Sequence, residues 1–579
     1  MLNAVYAAVR DQNWTTVPFS VVQETLEEHK DGFSIGMDLE YAWEENLYRA
    51  RMTIDANGHR LSVEYEGTAE STFLRNRIGL CILHPISECR GRAVTLIHPD
   101  GSHSEGLFPE FISPDQPLLN LAGMQWTPGN GITARLSFEG EIFESEDQRN
   151  WTDASYKTYG TPLENPFPVQ VNKGDHLSQS VILQAEQDAA SDQHMHARPS
   201  ETADHISRTL SLTPGQGQPL PGLGIARTTE PVPMTPGEAE ILKSLRFHHY
   251  RVDLKLDHQD WKEVYDSAFR EQLLLDWPLE LALHFGRQAD RELERFRDHY
   301  ALHPATIRHM LVFDEHSLSP NELLKQVVPR LRAFFPEIQV GAGTDANFAE
   351  LNRNPPDPAG LDFVSYSICP QVHAFDNLTL LENLAAQRDS VLSAANLLSK
   401  PVSIGALTLK QRFNAVATEE NEASLTPESD PRQHTIFAAG WTLGSLRNLV
   451  LAAPVSVTYY ETTGPRGILS RKFPPNTQPP LYHLFRELLS SGSWQIIPTE
   501  SSHPLEFEGL AMRNEKEIRV FIANHTDQGK RVHLNSIPGE VRSCSRLGEQ
   551  GWQEVKNEDS PRDILLLEPV GIYLITCSL

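Results

Sequence analysis

Two glutamates make the first chemical suggestion in this chain. Glu315 closes the run Leu311-Val-Phe-Asp-Glu315, and Glu461 closes Val457-Thr-Tyr-Tyr-Glu461; each run has strand character and ends on a carboxylate. Two carboxyls roughly 5–9 Å apart can flank one bond as acid and base. A rim salt bridge accounts for either residue equally well, and Asp314 competes with its neighbour for the inward position. Other polar groups fall at similar places. Arg251 and Asp253 share one face of His249-Tyr-Arg-Val-Asp-Leu254, His284 lies near the end of a third apolar run, and His373 follows a further one. They are candidates to bind hydroxyls or a developing oxyanion, against a buried Arg–Asp pair and ordinary satisfied histidines.

Gly343-Thr-Asp-Ala-Asn-Phe348 adds Asp345 and Asn347 on a loop, where they either bind a polyol or cap the next helix. Residues 146–159 concentrate Arg149, Asn150, Trp151, Asp153 and Lys157 directly after an alternating strand, either completing a pocket or forming a domain interface. Tyr460, beside Glu461, joins the substrate-binding candidates. The chain lacks GxSxG, HExxH, a P-loop and a GxGxxG that opens a helix after a strand. His194-Met-His196 has no third ligand nearby and reads as solvent-exposed, so no metal site and no cofactor are expected.

These residues need a frame that brings distant strand ends together. Between residues 216 and 495, eight apolar runs (223–228, 249–256, 279–285, 307–315, 338–344, 363–370, 402–409 and 455–461) alternate with helical patterns at 236–244, 261–275, 289–299, 319–335, 378–398 and 434–448, with a last one at 480–489. Eight such units predict a (β/α)8 TIM barrel, whose site lies at the strand C-termini and whose strands four and eight face each other. Residues 31–143 alternate in short segments between Gly, Asp, Asn and Pro turns, which predicts an antiparallel β-sandwich, with further strands at 176–184 and 205–212 and a mobile polar loop at 187–202. Alternation returns after Gln495 as a small all-β domain. The expected fold is thus multidomain: a sandwich (1–215), the barrel (216–495) and a C-terminal β-domain (496–579).

With 77 acidic against 50 basic side chains, a net charge of −27 and no basic run, nucleic acid and anionic membranes are poor partners; a neutral small molecule suits the field better. The 39% hydrophobic content is enough for packed cores. Five scattered cysteines point to a reducing, cytoplasmic setting. Residues 1–16 hold a short apolar run broken by Arg10 and Asp11 and do not read as a secretion signal, and no run is long enough to span a bilayer. Homo-oligomeric assembly stays open.

The chain resembles the D-apionate lactonase family over nearly its whole length. The resemblance rests on Tyr6-Ala-Ala-Val-Arg-Asp-Gln-Asn-Trp14, Ser71-Thr-Phe-Leu-Arg-Asn-Arg-Ile-Gly-Leu-Cys-Ile-Leu-His-Pro85, residues 146–159, Gly343-Thr-Asp-Ala-Asn-Phe-Ala-Glu-Leu-Asn-Arg353, Pro370-Gln-Val-His-Ala-Phe375 and Tyr460-Glu-Thr-Thr-Gly464. It implies hydrolysis of D-apionolactone to D-apionate in bacterial apiose catabolism. The barrel argument supplies the roles. One carboxylate or His373 activates water, Arg251 or Lys157 holds the oxyanion, and the other carboxylate protonates the leaving oxygen. The alternatives are a glycoside hydrolase acting on apiosyl or related glycosides with the same glutamates, and a carbohydrate-binding protein without catalysis.

Overall fold

The computed structural model describes residues 2–128, 132–187, 208–213, 217–315, 320–413, 429–474, 477–555 and 564–579; the His194/His196 pair and the 187–202 loop expectation fall outside these apart from Gln187. The described residues form two compact units. One holds the residues up to Asn150 and from Ala154 to Gln187, and the other holds Trp151–Asp153 and the residues from Arg208 onward.

The first unit is built from two antiparallel sheets, one of six strands and one of nine. Val9, Leu80 and Ile82 from the smaller sheet share one apolar core with Tyr41, Tyr65, Trp126 and Leu136 from the larger. The sandwich starts earlier than the alternation suggests: Ala4–Asp11 pairs with Phe73–Pro85, and Phe19–His29 forms an outer edge.

The second unit contains the barrel. Its strands are β1 Gly222–Ala226, β2 His249–Lys255, β3 Leu279–Phe285, β4 Ile307–Asp314, β5 Gln339–Gly343, β6 Phe363–Ile368, β7 Val402–Leu407 and β8 Ser456–Thr463. All neighbours are parallel, and pairing of β1 with β8 closes the ring. All seven expected helices are present with ends shifted by at most two residues, the one expected at 378–398 being split into Asn377–Glu382 and Leu384–Leu398. A six-residue helix, Phe348–Arg353, fills the β5–β6 connection, where the sequence offers candidate caps in Asp345 and Asn347 but no helical period.

Strand geometry then dictates what lines the barrel. Alternate residues point to opposite faces. On β2, Tyr250 points outward, its hydroxyl donating to Glu271 of the helix Trp261–Leu275, so His249, Arg251, Asp253 and Lys255 point inward. The registers Arg251↔Glu280 and Glu280↔His309 carry the same face to Glu280, Ala282 and His284 on β3 and to His309, Leu311 and Phe313 on β4. The barrel interior is therefore largely polar, with a small apolar plug of Ala282, Leu311, Phe313 and Phe363.

The C-terminal strands form sheets of four and seven. Thr209–Leu212, expected in the sandwich, pairs instead with Thr499–Ser501 and Lys530–Asn535, and Gln218–Pro219 pairs with Gln495–Ile497. Both strands before the barrel thus belong with the C-terminal sheets. Among the described residues no helix is long and apolar enough to cross a membrane.

Candidate active site

The ends of β2 to β5 and the loop after β7 converge on one charged network. Arg251 donates from Nη2 to Asp253 Oδ1 at 2.8 Å and to Asp345 Oδ1 at 2.7 Å. Arg412, in the loop after β7, donates to both oxygens of Asp345 at 2.7 and 2.9 Å and to Asp253 Oδ2 at 3.0 Å. His284 lies between two carboxylates, with Nε2 3.2 Å from Asp253 and Nδ1 2.8 Å from Glu315, and Lys255 approaches Glu315 at 3.2 Å.

Because both imidazole nitrogens of His284 face acceptors, both carry protons and the ring is a cation. Burial alone would strip one proton. The hydrogen bonds to Asp253 and Glu315, with the charges of Asp345 and Asp253, outweigh it and raise the group to about 9. Burial would likewise favour the neutral form of Glu315, but the bond and charge of His284, then Lys255, hold it down at about 2. Asp253 is half-buried, and the two arginines and His284 hold its carboxyl well below the usual range. Glu315 is therefore an acceptor at neutral pH. The proton in this pair sits on His284.

His373, after β6, forms a second pair. Its Nδ1 donates to Asp153 Oδ2 at 2.5 Å, and Asp153 Oδ1 accepts from Asn383 Nδ2 at 3.1 Å. The Trp151 ring stands edge-on to His373 at 5.4 Å and carries the Arg353 guanidinium on its face at 5.1 Å. With Nδ1–H committed to a carboxylate, Nε2 is the ring position left to take up a proton, the arrangement of a general base.

A small open cleft lies beside the network, lined among others by Asp345, Asn347, Ser367, Thr408, Gln411 and Arg412. Arg412 is 18% exposed along its side chain, whereas Arg251 is 0% exposed. Of the two, only Arg412 can meet a bound molecule, and Arg251 acts on the cleft through Asp253 and Asp345. Asn347 occupies the N-cap position of Phe348–Arg353 without making a side-chain cap bond, so capping does not explain it.

Glu461 reaches its place by a local irregularity. Thr458 points inward to His249, so simple alternation would send Tyr460 inward and Glu461 out. Tyr460 instead adopts a left-handed conformation (φ 53°), its hydroxyl meets Thr442 of the outer helix Ile436–Val450, and the register with β1 shifts by one residue. Such a bulge re-aims the next side chain. Glu461 then accepts from the Thr229 backbone at 3.0 Å and pairs with Arg466 at 2.9 Å. Tyr460 itself faces away from the mouth.

The remaining candidates find partners inside the first unit. Arg149 is buried against Asp147 at 2.8 Å, Asn150 donates to the Ser113 carbonyl at 2.6 Å, and Lys157 pairs with Glu146. Arg412 was not among the sequence candidates. It lies in a loop with no motif, and its spacing from Asp253 and Asp345 becomes visible only once the barrel closes.

Asp253, His284 and Asp345 bring ligand atoms within 4.8 Å of one another, the spacing of a metal site. The donor set does not fit one. Two guanidinium groups already hold the aspartate oxygens, and their positive charge opposes a cation at the same place.

Residues 1–188 match the family model of the D-apionate lactonase N-terminal domain, and residues 223–492 match that of the D-apionate lactonase TIM barrel domain. The chain belongs to the D-apionate lactonase family. A D-apionate lactonase of Brucella anthropi is 29% identical over 575 residues, covering 92% of this chain and 90% of that protein. The two family domains follow one another here as sandwich and barrel, and the network described above lies wholly within the barrel match. Among solved structures, a family 51 α-L-arabinofuranosidase from Bifidobacterium longum covers 64% of this chain and 99% of its own at 12% identity and a TM-score of 0.45. A family 30 endoxylanase from Clostridium papyrosolvens covers 64% of this chain and 100% of its own at 9% identity and a TM-score of 0.42.

Proposed function

We propose that this chain hydrolyses a sugar lactone at the C-terminal mouth of the barrel, and that the lactone is D-apionolactone, opened to D-apionate in apiose catabolism. The observation that carries the reading is the match of both lactonase-family domains in order along the chain, together with full-length similarity to a D-apionate lactonase. The geometry supports a mechanism. His373, oriented by Asp153, takes a proton from water as the water oxygen bonds to the lactone carbonyl carbon. Arg412 faces the developing oxyanion with a guanidinium already fixed by Asp345 and Asp253, so little reorganisation is needed in the transition state. When the ring C–O bond breaks, the leaving oxygen takes the Nε2 proton of His284 in place of Asp253, whose contact at 3.2 Å is the longer of the two, while Glu315 keeps the Nδ1–H and supports the charged form. Asp345, Asn347, Ser367 and Thr408 offer hydrogen bonds to the sugar hydroxyls. Glu461 lies in reach of the Arg412 field and helps hold that guanidinium charged.

The test is to follow the lactone carbonyl of D-apionolactone by NMR at mildly acidic pH with wild type, Glu315→Gln, Glu461→Gln and His373→Asn. Rapid opening by wild type, a loss of roughly a hundredfold or more in His373→Asn and a smaller loss in Glu315→Gln is expected. Turnover should also fall above about pH 9, as His284 loses its proton. Full turnover in both glutamine variants would remove the carboxylates from the mechanism. No opening by wild type, with release of sugar from an apiosyl glycoside, would favour the glycosidase alternative.

A further inference from the structure

Beneath the mouth, the barrel floor holds a carboxylate that the proposed reaction does not use. Glu280 on β3 is fully buried, and each of its oxygens lacks a hydrogen bond of good geometry. Three bases face it: His309 Nδ1 at 3.5 Å, His249 Nε2 at 3.7 Å and Arg251 Nη1 at 4.0 Å. Burial holds His249 down at about 4, so it is neutral at pH 7, and Arg251 supplies permanent positive charge next to Glu280. Arg251 Nε and Nη1 make no hydrogen bond, while Nη2 is shared between Asp253 and Asp345. The guanidinium thus stands between two sets of carboxylates, one below and one above. Gly405 on β7 leaves it room, since a Cβ there would lie 2.7 Å from Nη1.

A buried carboxylate placed only for packing would be at least as well replaced by an apolar side chain of similar volume. Its position suggests a reason to keep it. We propose that Glu280 is a positioning residue for the mouth: acting through Arg251, it draws the lower edge of the guanidinium toward the floor, so that Asp253 keeps its bond to His284. His284 is faced by Asp253 and Arg251 from β2, Glu315 after β4 with Lys255 behind it, Asp345 after β5 and Arg412 after β7. Removing the charge of Glu280 leaves Arg251 balanced only by Asp253 and Asp345. Both then have less charge to offer His284, and its protonated form is weakened.

The inference rests on the lactonase reading only where turnover is the readout, so the first measurement is independent of activity. The His284 ring signal, assigned by its loss in His284→Asn, is titrated by NMR in the full chain for wild type and Glu280→Gln. The expected result is a midpoint lowered by about one pH unit in Glu280→Gln, with the His373 signal unmoved. A midpoint within about 0.2 unit of wild type in a folded Glu280→Gln protein overturns the proposal, because a merely structural role would lower the folded fraction without moving His284. If Glu280→Gln does not fold, Glu280→Asp, which retracts the charge by one methylene, should move the midpoint in the same direction by less; no movement overturns the proposal. With D-apionolactone as substrate, the fall in turnover at high pH should begin correspondingly earlier in Glu280→Gln, with KM unchanged. A shifted His284 midpoint in a protein that opens no lactone would sink the lactonase reading and leave Glu280 in its role.

Discussion

The sandwich core and the barrel interior solve opposite problems with the same strand alternation. In the sandwich, inward positions are filled by residues such as Leu80, Ile82, Trp126 and Leu136, and the buried charges Arg149–Asp147 and Lys157–Glu146 pair within one short stretch of the chain, residues 146–157. In the barrel the inward positions of β2 to β4 hold His249, Arg251, Asp253, Glu280, His284 and His309, and apart from the Arg251–Asp253 contact within β2 their ionic partners come from other strands and from the loops that follow them. Apolar burial stabilises by roughly 25 cal/mol per Å², whereas charges buried in pairs seldom improve on hydrophobic packing of the same shape. The sandwich interior is thus arranged for stability, and the barrel interior gives some up to hold charges at fixed positions. Substitutions in the two regions should separate along that line.

The largest effect is expected at the His373–Asp153 pair. Asp153→Asn keeps the shape but supplies an amide in place of the charge that orients Nδ1–H, and it should lower kcat for the lactone by roughly 10²–10⁴, with little change in thermal stability. Steady-state kinetics and a melting curve on one preparation check this. A loss of activity matched by an equal loss of folded protein would make the pair a structural tie rather than a functional one.

Next in size is the converse. Leu136, fully buried in the sandwich, should cost about 2–5 kcal/mol of stability when replaced by alanine, from lost transfer energy and the cavity left behind. The kcat of the surviving folded enzyme should be unchanged. A change in kcat at 20 °C, well below the melting transition, would break the proposed division of labour.

How much of this was legible beforehand follows from the same alternation. The barrel strands are short apolar runs separated by helical periods, so each strand and all but one helix could be placed to within a few residues. Phe348–Arg353 escaped because six residues are too few to show a period. Thr209–Leu212 pairs outside the sandwich, which its sequence does not reveal: a strand's pattern states which face is buried but not which strands it pairs with, and its partners lie some three hundred residues later. At the site, Asp253, His284, Glu315 and Asp345 stand on strand ends, where position alone marks them. Arg412 lies on a loop without a pattern, and its importance is set by two aspartates on other strands. Arg149 and Lys157 show the reverse: a dense run of polar residues in sequence, already satisfied within its own fold.

The smallest predicted effect concerns a buried charge that serves neither region. Glu508, in the strand Phe507–Arg513, is packed against the helix Ile436–Val450, where Asn448 Nδ2 approaches its Oε2 at 3.3 Å and Arg447 its Oε1 at 3.6 Å. Burial outweighs both and raises the carboxyl to about 7. Because the folded state holds this proton more tightly than the unfolded chain, the contribution to stability is full below the ordinary glutamate range. It declines as pH rises, by an amount on the order of 2–3 kcal/mol in total, and levels off above about 7. Glu508→Gln keeps the shape and cannot ionise. It should therefore melt like wild type near pH 4.5 and a few degrees higher at pH 8, with lactone turnover unaffected at either pH. Equal melting temperatures at pH 8 would mean that Arg447 neutralises Glu508 in the fold. The carboxylate would then belong with the paired charges of the sandwich, whose interactions are complete within their own domain.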